Sequence, residues 1–255
     1  MLKYLGLPML ASEHGTRVDN FILYVHYLMG VLFVGWLAYF LYALFRFRAT
    51  RNPRASYAGA QTHASSYIEI AVAAIEGVLL VGLAIPLWAK FADQFPSQSE
   101  ATSIRVVAQQ FLWNAVYPGK DGQFGKQSFN LVSATNQFGW DYAADPLTHD
   151  NFVGDQNVII VPEGKPVIAN ITSKDVIHSF KINPFRVTQD AIPGMAIPIW
   201  FKPTTNGIFL INCAQLCGNS HYFMKGEFHV VPQQKFDEFV AAKSAAPGGA
   251  NQSFE

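Results

Sequence analysis

The sequence predicts a two-helix transmembrane hairpin followed by an all-β domain, in a chain of 255 residues. Two long apolar runs near the start of the chain predict the hairpin. After residue 90, short runs rich in Val, Ile, Phe and Thr alternate with Gly, Pro, Asn and Asp, which is typical of strands joined by turns. Half of the residues are apolar, 14% are charged and the net charge is zero. This balance argues against a nucleic-acid partner and favours a chain that lies partly in the lipid bilayer.

The first predicted span covers residues 21–45, which carry no formal charge. A helix of this length extends roughly 37 Å, enough to cross a hydrocarbon core of about 30 Å. The second span, at about 67–89, contains the acids Glu69 and Glu76. Four arginines between the two runs place the connecting loop on the cytoplasmic side. We therefore expect residues 1–20, the C-terminus and everything after about residue 90 on the outer side.

The all-β domain is predicted over residues 91–243. Its strands are expected near 103–113, 157–161, 166–172, 177–182, 196–201, 207–212 and 226–231. The polar stretch at about 114–156 has no clear period and is predicted to be an insertion of loops. Residues 232–243 predict a closing amphipathic helix, and the tail at 244–255 is expected to be disordered.

The insertion contains four acids in a window without Lys or Arg: Asp141, Asp145, Asp150 and Asp155. Two interpretations stay open for them. The acids belong either to a solvated loop or to a docking patch for a basic partner, because complementary charge speeds the encounter between proteins.

The only two cysteines of the chain, Cys213 and Cys217, lie in the stretch C-A-Q-L-C-G-N-S-H-Y-F-M, which follows an apolar β-like run. Two thiols, an imidazole and a thioether form the soft ligand set that selects copper over harder metals. A mononuclear blue copper site uses one Cys, so the second thiolate favours a dinuclear centre. His221 and Met224 are then available to bind one metal each.

A second imidazole for this centre has to come from elsewhere, and His178, at the start of a predicted strand, is our candidate. The alternative is that Cys213 and Cys217 form a disulfide, with His221 and Met224 at the surface by chance. Four soft ligands within 12 residues, together with a His at the start of a strand, favour the copper site.

Three motifs in this order resemble subunit II of the haem–copper cytochrome c oxidases: D-V-I-H-S-F at 175–180, Q-D-A-I-P-G at 189–194, and the ligand stretch at 213–224. The resemblance covers residues from about 20 to 232. It implies a two-helix transmembrane hairpin followed by an all-β cupredoxin-like Greek-key domain. It also implies a place in the bacterial inner (plasma) membrane, with both termini and the copper domain on the periplasmic side.

The same resemblance implies a dinuclear copper centre, CuA. In this family the centre accepts electrons from cytochrome c, or another c-type haem donor, and passes them to haem in subunit I for O2 reduction and proton translocation. Subunit I, subunit III and the lipid bilayer are the expected partners. The implied metal ligands are His178, Cys213, Cys217, His221, Met224 and the backbone carbonyl of Gln215.

The chain departs from the family pattern at two positions. Gln215 stands where most of the family has Glu, so a Mg ion at the interface with subunit I is doubtful, because a neutral amide is a poor ligand for a hard cation. Phe111 stands where the family has the Trp that receives electrons. Trp113 and Trp140 are therefore candidates for that role beside Phe111. Glu69 matches the glutamate at the mouth of a proton path.

Two other kinds of protein are alternatives to an oxidase subunit. A membrane-anchored copper chaperone, or a copper-binding assembly factor, also uses C-x3-C with a distant His, but its cysteines come early, between a strand and a helix. A quinol oxidase relative is a structural subunit without copper and lacks the ligands that are present here.

Overall fold

A computed structural model describes residues 6–54, 57–58 and 61–244 of the chain. The chain divides into two compact units, one containing Arg17–Lys90 and the other containing Pro8–Thr16 and the residues from Phe91 onward. The tail predicted to be disordered lies outside the described residues, except for Ser244, which ends a helix.

The first unit contains the two apolar helices that the sequence predicts. Helix α1 covers Gly15–Arg46, and the second span consists of α2 (Ala64–Gly77), a π-helical segment (Val78–Ala84) and α3 (Ile85–Asp93). Both spans are long and apolar enough to cross a membrane. They extend beyond the predicted limits because the pattern of apolar residues marks only the lipid-facing core, whereas helical hydrogen bonds continue into polar flanks.

The second unit is a sandwich of two five-stranded sheets, with orders β3-β2-β1-β5-β8 and β4-β10-β9-β6-β7. Inward-facing side chains of both sheets form one hydrophobic core, and helix α4 (Gln233–Ser244) adds Phe236 to it. This architecture confirms the predicted fold class. The strands are β1 (Thr102–Gln109), β2 (Leu112–Tyr117), β3 (Phe152–Val153), β4 (Val158–Pro162), β5 (Val167–Ser173), β6 (His178–Ile182), β7 (Val187–Ala191), β8 (Ile197–Phe201), β9 (Gly207–Cys213) and β10 (Lys225–Val231).

The structure corrects the boundaries expected around residue 113. The single strand predicted at 103–113 is a hairpin of β1 and β2, and the predicted loop insertion at 114–156 loses its first residues to β2 and two further residues to β3. Strand β2 is not apparent from the sequence because Asn114, near its start, is polar. In the structure Asn114 is buried and donates a hydrogen bond to the Val107 carbonyl at 3.3 Å. Strand β7 was also missed, since exposed polar residues fill its interior.

The acids of the insertion stabilise its loops through hydrogen bonds and an ion pair. Asp145 accepts a hydrogen bond from the backbone N–H of Lys126 at 2.7 Å, and Asp150 accepts one from that of Lys120 at 2.8 Å. Asp155 forms an exposed ion pair with a lysine of α4. Neutralising these acids would therefore disturb the loops as well as any surface charge, so they are poor probes of a docking patch.

A short N-terminal segment, Pro8–Thr16, belongs to the β unit and is called the strap below. The Ala11 N–H donates to the Pro184 carbonyl at 2.8 Å, and the Ser12 hydroxyl donates to the Phe185 carbonyl at 2.8 Å. Ala11 and Ser12 are buried against the sandwich. The residues directly before the first span are therefore part of the domain that follows the second.

The strap should loosen on acidification. Burial lowers the pKa of His14 from 6.5 to about 4, although its hydrogen bond to the Arg186 backbone and the nearby Glu13 carboxylate oppose the shift. Between these two pH values the unfolded chain binds a proton that the folded chain does not. The free energy of unfolding should therefore fall by up to about 3 kcal/mol through this window. Denaturant titrations of the chain in detergent should show this fall, and His14→Gln should remove it; identical pH profiles would contradict the assignment.

Candidate metal centre

Strand pairing brings His178 to the ligand loop. His178 is the first residue of β6, and Cys213 is the last residue of β9. The two strands are antiparallel neighbours in which Phe180 lies opposite Cys213. Because antiparallel strands run in opposite directions, the start of one meets the end of the other. The side chains of His178 and Cys213, 35 residues apart in the chain, therefore meet at the same end of this strand pair.

The ligand loop, residues 213–224, folds back on itself between β9 and β10. A 3₁₀ turn at His221–Phe223 reverses the chain, and the Cys213 N–H donates to the Met224 carbonyl at 3.2 Å. Gly218 has a φ of +136°, and a Cβ there would lie 2.7 Å from Nε2 of Gln110. The positive φ therefore favours glycine at this position, and the close approach of Gln110 adds to this preference.

The two cysteines are free thiols whose Sγ atoms lie 3.8 Å apart, well beyond the roughly 2.05 Å of a disulfide bond. Each sulfur has further donor atoms around it. Cys213 Sγ lies 3.1 Å from the Gln215 carbonyl and 3.9 Å from His178 Nδ1. Cys217 Sγ lies 3.5 Å from His221 Nδ1 and 3.7 Å from Met224 Sδ. All six expected ligand atoms are therefore gathered at one place.

This donor set fits copper. The ligand atoms of His178, Cys213 and Cys217 lie within 4.8 Å of one another, and sulfur and imidazole donors together select copper over harder metals. Burial, and after it the neighbouring Cys213, raises the pKa of the Cys217 thiol. The protein without metal therefore holds the proton on this sulfur, and metal binding has to displace it.

Asp175 orients His178. Nε2 of the ring lies 2.9 Å from the Asp175 carboxylate, so this nitrogen carries the proton and Nδ1 points at Met224 Sδ, 3.1 Å away. Burial raises the pKa of Asp175, but hydrogen bonds from the Gln110 N–H, from His178 and from the Val176 N–H lower it more, and the net shift is downward. The carboxylate therefore stays ionised and holds the ring with its unprotonated nitrogen towards the sulfurs.

Sequence reasoning missed two supporting residues, Asp175 and Gln110. The Gln110 backbone N–H donates to Asp175 at 2.6 Å, and its side-chain amide donates to the Cys217 carbonyl at 2.6 Å. The sequence does contain a signal for Asp175, because an acid three residues before a metal-binding His can reach the ring nitrogen that does not face the metal. Gln110 had none, because its contacts depend on the hairpin that the sequence did not reveal.

The three aromatic candidates occupy different places. Trp113 is fully buried, and its ring centroid lies 6.2 Å from that of His178. Phe111 is partly exposed and its ring lies against the ligand loop, so close to Gly218 that a Cβ there would lie 3.1 Å from it. Trp140 is buried with Val107 and Val116 in a separate cluster on the other face of β1 and β2. The structure thus brings Phe111 and Trp113 to the site but not Trp140, and Glu69 lies on α2 in the other unit.

Removing the Asp175 carboxylate should weaken copper binding without removing a ligand. We expect Asp175→Ala to lower copper affinity by about 10–100-fold, the usual cost of losing the group that orients a metal-binding histidine. Competition titration against a copper chelator measures this change. Asp190→Ala, which removes an exposed carboxylate from the neighbouring strand β7, is the matched control. Equal affinities for the two variants would show that Asp175 does not position the ring.

Comparison with known proteins identifies the family of this chain. A family model described as cytochrome c oxidase subunit II, periplasmic domain, matches residues 102–231. A cytochrome c oxidase subunit 2 of Cereibacter sphaeroides is 31% identical over 246 residues, covering 91% of this chain and 77% of the relative. An alternative cytochrome c oxidase subunit 2 of Bradyrhizobium diazoefficiens is 27% identical over 232 residues, covering 91% of this chain and 82% of the relative.

Among solved structures, the periplasmic domain of subunit II of cytochrome oxidase from Bradyrhizobium japonicum matches with 29% identity and a TM-score of 0.42, covering 58% of this chain and 94% of that one. The range matched by the family model contains Cys213, Cys217 and His178. The chain belongs to the cytochrome c oxidase subunit II family, as a membrane protein with an outer-side β domain.

Proposed function

We propose that this subunit of a haem–copper oxidase holds a dinuclear CuA centre, which accepts electrons from cytochrome c or another c-type haem donor and passes them to haem in subunit I. One observation carries the proposal. Two free thiols lie 3.8 Å apart, with a separate imidazole nitrogen near each of them. A mononuclear blue copper site uses two histidines, one cysteine and a weak axial methionine, so it would leave the second thiol without a role.

The contacts show which donors lie near one another, with His178 Nδ1 and Met224 Sδ 3.1 Å apart. These two side chains, His221, the Gln215 carbonyl and the thiolates of Cys213 and Cys217 would hold the copper. Copper bound there would supply a one-electron redox couple. The protein contributes the fixed positions of the donors, since neighbouring strands hold His178 and Cys213 and since Asp175 fixes the imidazole.

Exposed apolar side chains within the ligand loop suit a site that contacts other proteins. Leu216, Tyr222 and Phe223 are all exposed, next to the ligands Cys217 and His221. Clusters of exposed apolar residues mark interaction surfaces. Subunit I and the electron donor are the partners that this function needs at such a surface, and subunit III is a further proposed partner.

The strap supports the proposed topology. Residues directly before the first span hydrogen-bond to the β unit that follows the second span, which supports a position of both on the same side of the membrane. Two crossings return the chain to its starting side. Together with the arginine-rich loop between the spans, this favours the bacterial inner membrane with the N-terminal segment and the β domain on the periplasmic side.

Two finer assignments belong to the same proposal. Gln215 offers its backbone carbonyl, while its exposed side-chain amide is a poor Mg²⁺ ligand, so no Mg site is proposed. Glu69, exposed near the inner end of α2, is proposed as the mouth of a proton path. Phe111 and Trp113 are the proposed aromatic contacts on the electron route, because both lie at the ligand site.

Rapid mixing of the oxidised, purified oxidase with reduced cytochrome c tests this function. We expect the absorption of the copper–thiolate centre to bleach first and the haem to become reduced afterwards. Only the first phase should depend on ionic strength, because it includes the encounter with the donor, whereas the later transfer to haem takes place inside the complex. Haem reduction that precedes the bleaching, or that occurs without it, would contradict an electron-accepting role.

A further inference from the structure

Glu76 lies near the middle of the second membrane span. The span covers Ala64–Lys90, and Glu76 is roughly 18 Å from its inner end at the rise of an α-helix. Its side chain is exposed, and among the described residues it makes no hydrogen bond or ion pair. A carboxyl group at the centre of a bilayer costs about 2.5–3.5 kcal/mol on insertion scales, so such groups face protein or water rather than lipid.

The face of the helix that carries Glu76 is available to a partner. Glu69 and Glu76 are seven residues apart, two helical turns, so they lie on the same face of α2. Of the residues near this depth, Val72 and Leu79 are partly covered within the chain, whereas Glu69 and Glu76 are exposed. The two acids therefore lie beside the covered seam of the hairpin and are open to another subunit.

The backbone also changes at this depth. The π-helical segment Val78–Ala84 begins two residues after Glu76, and the Ile85 N–H donates to the Leu80 carbonyl five residues back. π-Helical turns are rare and frequently occur at functional sites. Crossing the lipid requires neither an acid nor a π-helical turn, and both occur here within one span.

We propose that Glu76 faces a membrane-embedded partner subunit of the oxidase and carries a proton there, as the acid one step deeper than Glu69. This inference rests on the proposed function, because O2 reduction is what consumes protons. Glu69 takes a proton from water at the inner surface and releases it towards Glu76, roughly 10 Å away, through intervening water. The Glu76 carboxylate becomes a neutral acid, then gives the proton to an acceptor on the partner subunit and returns to the carboxylate.

The test uses Glu76→Gln in the assembled oxidase, because glutamine keeps the size and hydrogen-bonding capacity of the side chain but carries no exchangeable acid proton. We expect turnover with reduced cytochrome c to fall by about 100-fold, within the range for loss of a proton-transferring group. Copper content and the reduction of copper by the donor should stay unchanged. Redox-difference infrared spectra should lose the band of a protonated carboxyl group.

Three further measurements decide the outcome. Glu76→Asp should restore part of the turnover, and Glu69→Gln/Glu76→Gln should be no slower than the slower single variant, since two groups in series act as one. Should Glu76→Gln fail to assemble, a hydrophobic carbodiimide applied to the unmodified oxidase should label Glu76 and stop turnover. Normal turnover of Glu76→Gln, or of oxidase labelled at Glu76, would overturn the proposal. If the unmodified oxidase has no copper centre in this subunit, the proposed function, and not only the role of Glu76, is overturned.

Discussion

Cys217→Ser should abolish electron transfer from cytochrome c to haem while leaving the rest of the oxidase assembled. Cys217 is buried, and its Sγ lies within 3.8 Å of three other expected ligand atoms. A serine hydroxyl at this position is a hard donor that stays protonated, so it would not replace the thiolate as a ligand of copper. The loss of copper affinity should exceed the roughly 10–100-fold that removal of a supporting residue costs.

The measurement has two readouts in the purified complex: copper per haem, and the rate of haem reduction by reduced cytochrome c. Haem reduction by a small artificial reductant should continue in Cys217→Ser, which shows that subunit I is intact. Leu216→Ala is the matched control for the copper content, because Leu216 is the exposed neighbour of Cys217 in the same loop and offers no ligand atom. A Cys217→Ser oxidase that keeps its full copper content would contradict the role of Cys217 as a copper ligand.

Loss of the strap should strongly destabilise the isolated β domain. A fragment of residues 91–244 lacks the four strap hydrogen bonds that Ala11, Ser12 and Glu13 form with the sandwich. At about 0.5–1.5 kcal/mol for each bond, their loss should lower the free energy of unfolding by about 2–6 kcal/mol. Removal of the buried Ala11 also uncovers apolar surface of the sandwich.

Denaturant unfolding of the fragment, with and without excess peptide 8–16, measures this contribution. The peptide should raise the midpoint of unfolding in a concentration-dependent way, because it binds only the folded domain. A peptide with Ala11→Asp is the matched control, since it retains the backbone donors but cannot bury its side chain. Equal stabilisation by both peptides would show that burial of the strap contributes nothing.

The ligand set could be predicted from the sequence because five of its members lie in one 12-residue stretch, residues 213–224, where spacing alone limits their separation. His178 could be assigned because it begins a strand and stands in a recognisable motif. Asp175 could have been assigned from its place three residues before His178. Gln110 could not, because its hydrogen bonds to Asp175 and to Cys217 span 65 and 107 residues of sequence, which periodicity does not reveal.

The fold followed from sequence wherever one pattern dominated a segment. Long uncharged runs marked both spans, and alternation marked most strands. The pattern failed at β2, where the buried polar Asn114 interrupts the apolar run. It also failed for the aromatic candidates, because Trp113 and Trp140 follow similar local sequences. The hairpin places Trp113 beside His178 and leaves Trp140 on the opposite face of the sheet.

Electron paramagnetic resonance of the purified, oxidised complex, with copper counted per chain, tests the central claim most directly. The arrangement of two thiols, two imidazoles, a thioether and a carbonyl predicts two coppers in this subunit and a spectrum in which one unpaired electron is shared equally between them. One copper with a mononuclear signal, or a disulfide between Cys213 and Cys217, would contradict it.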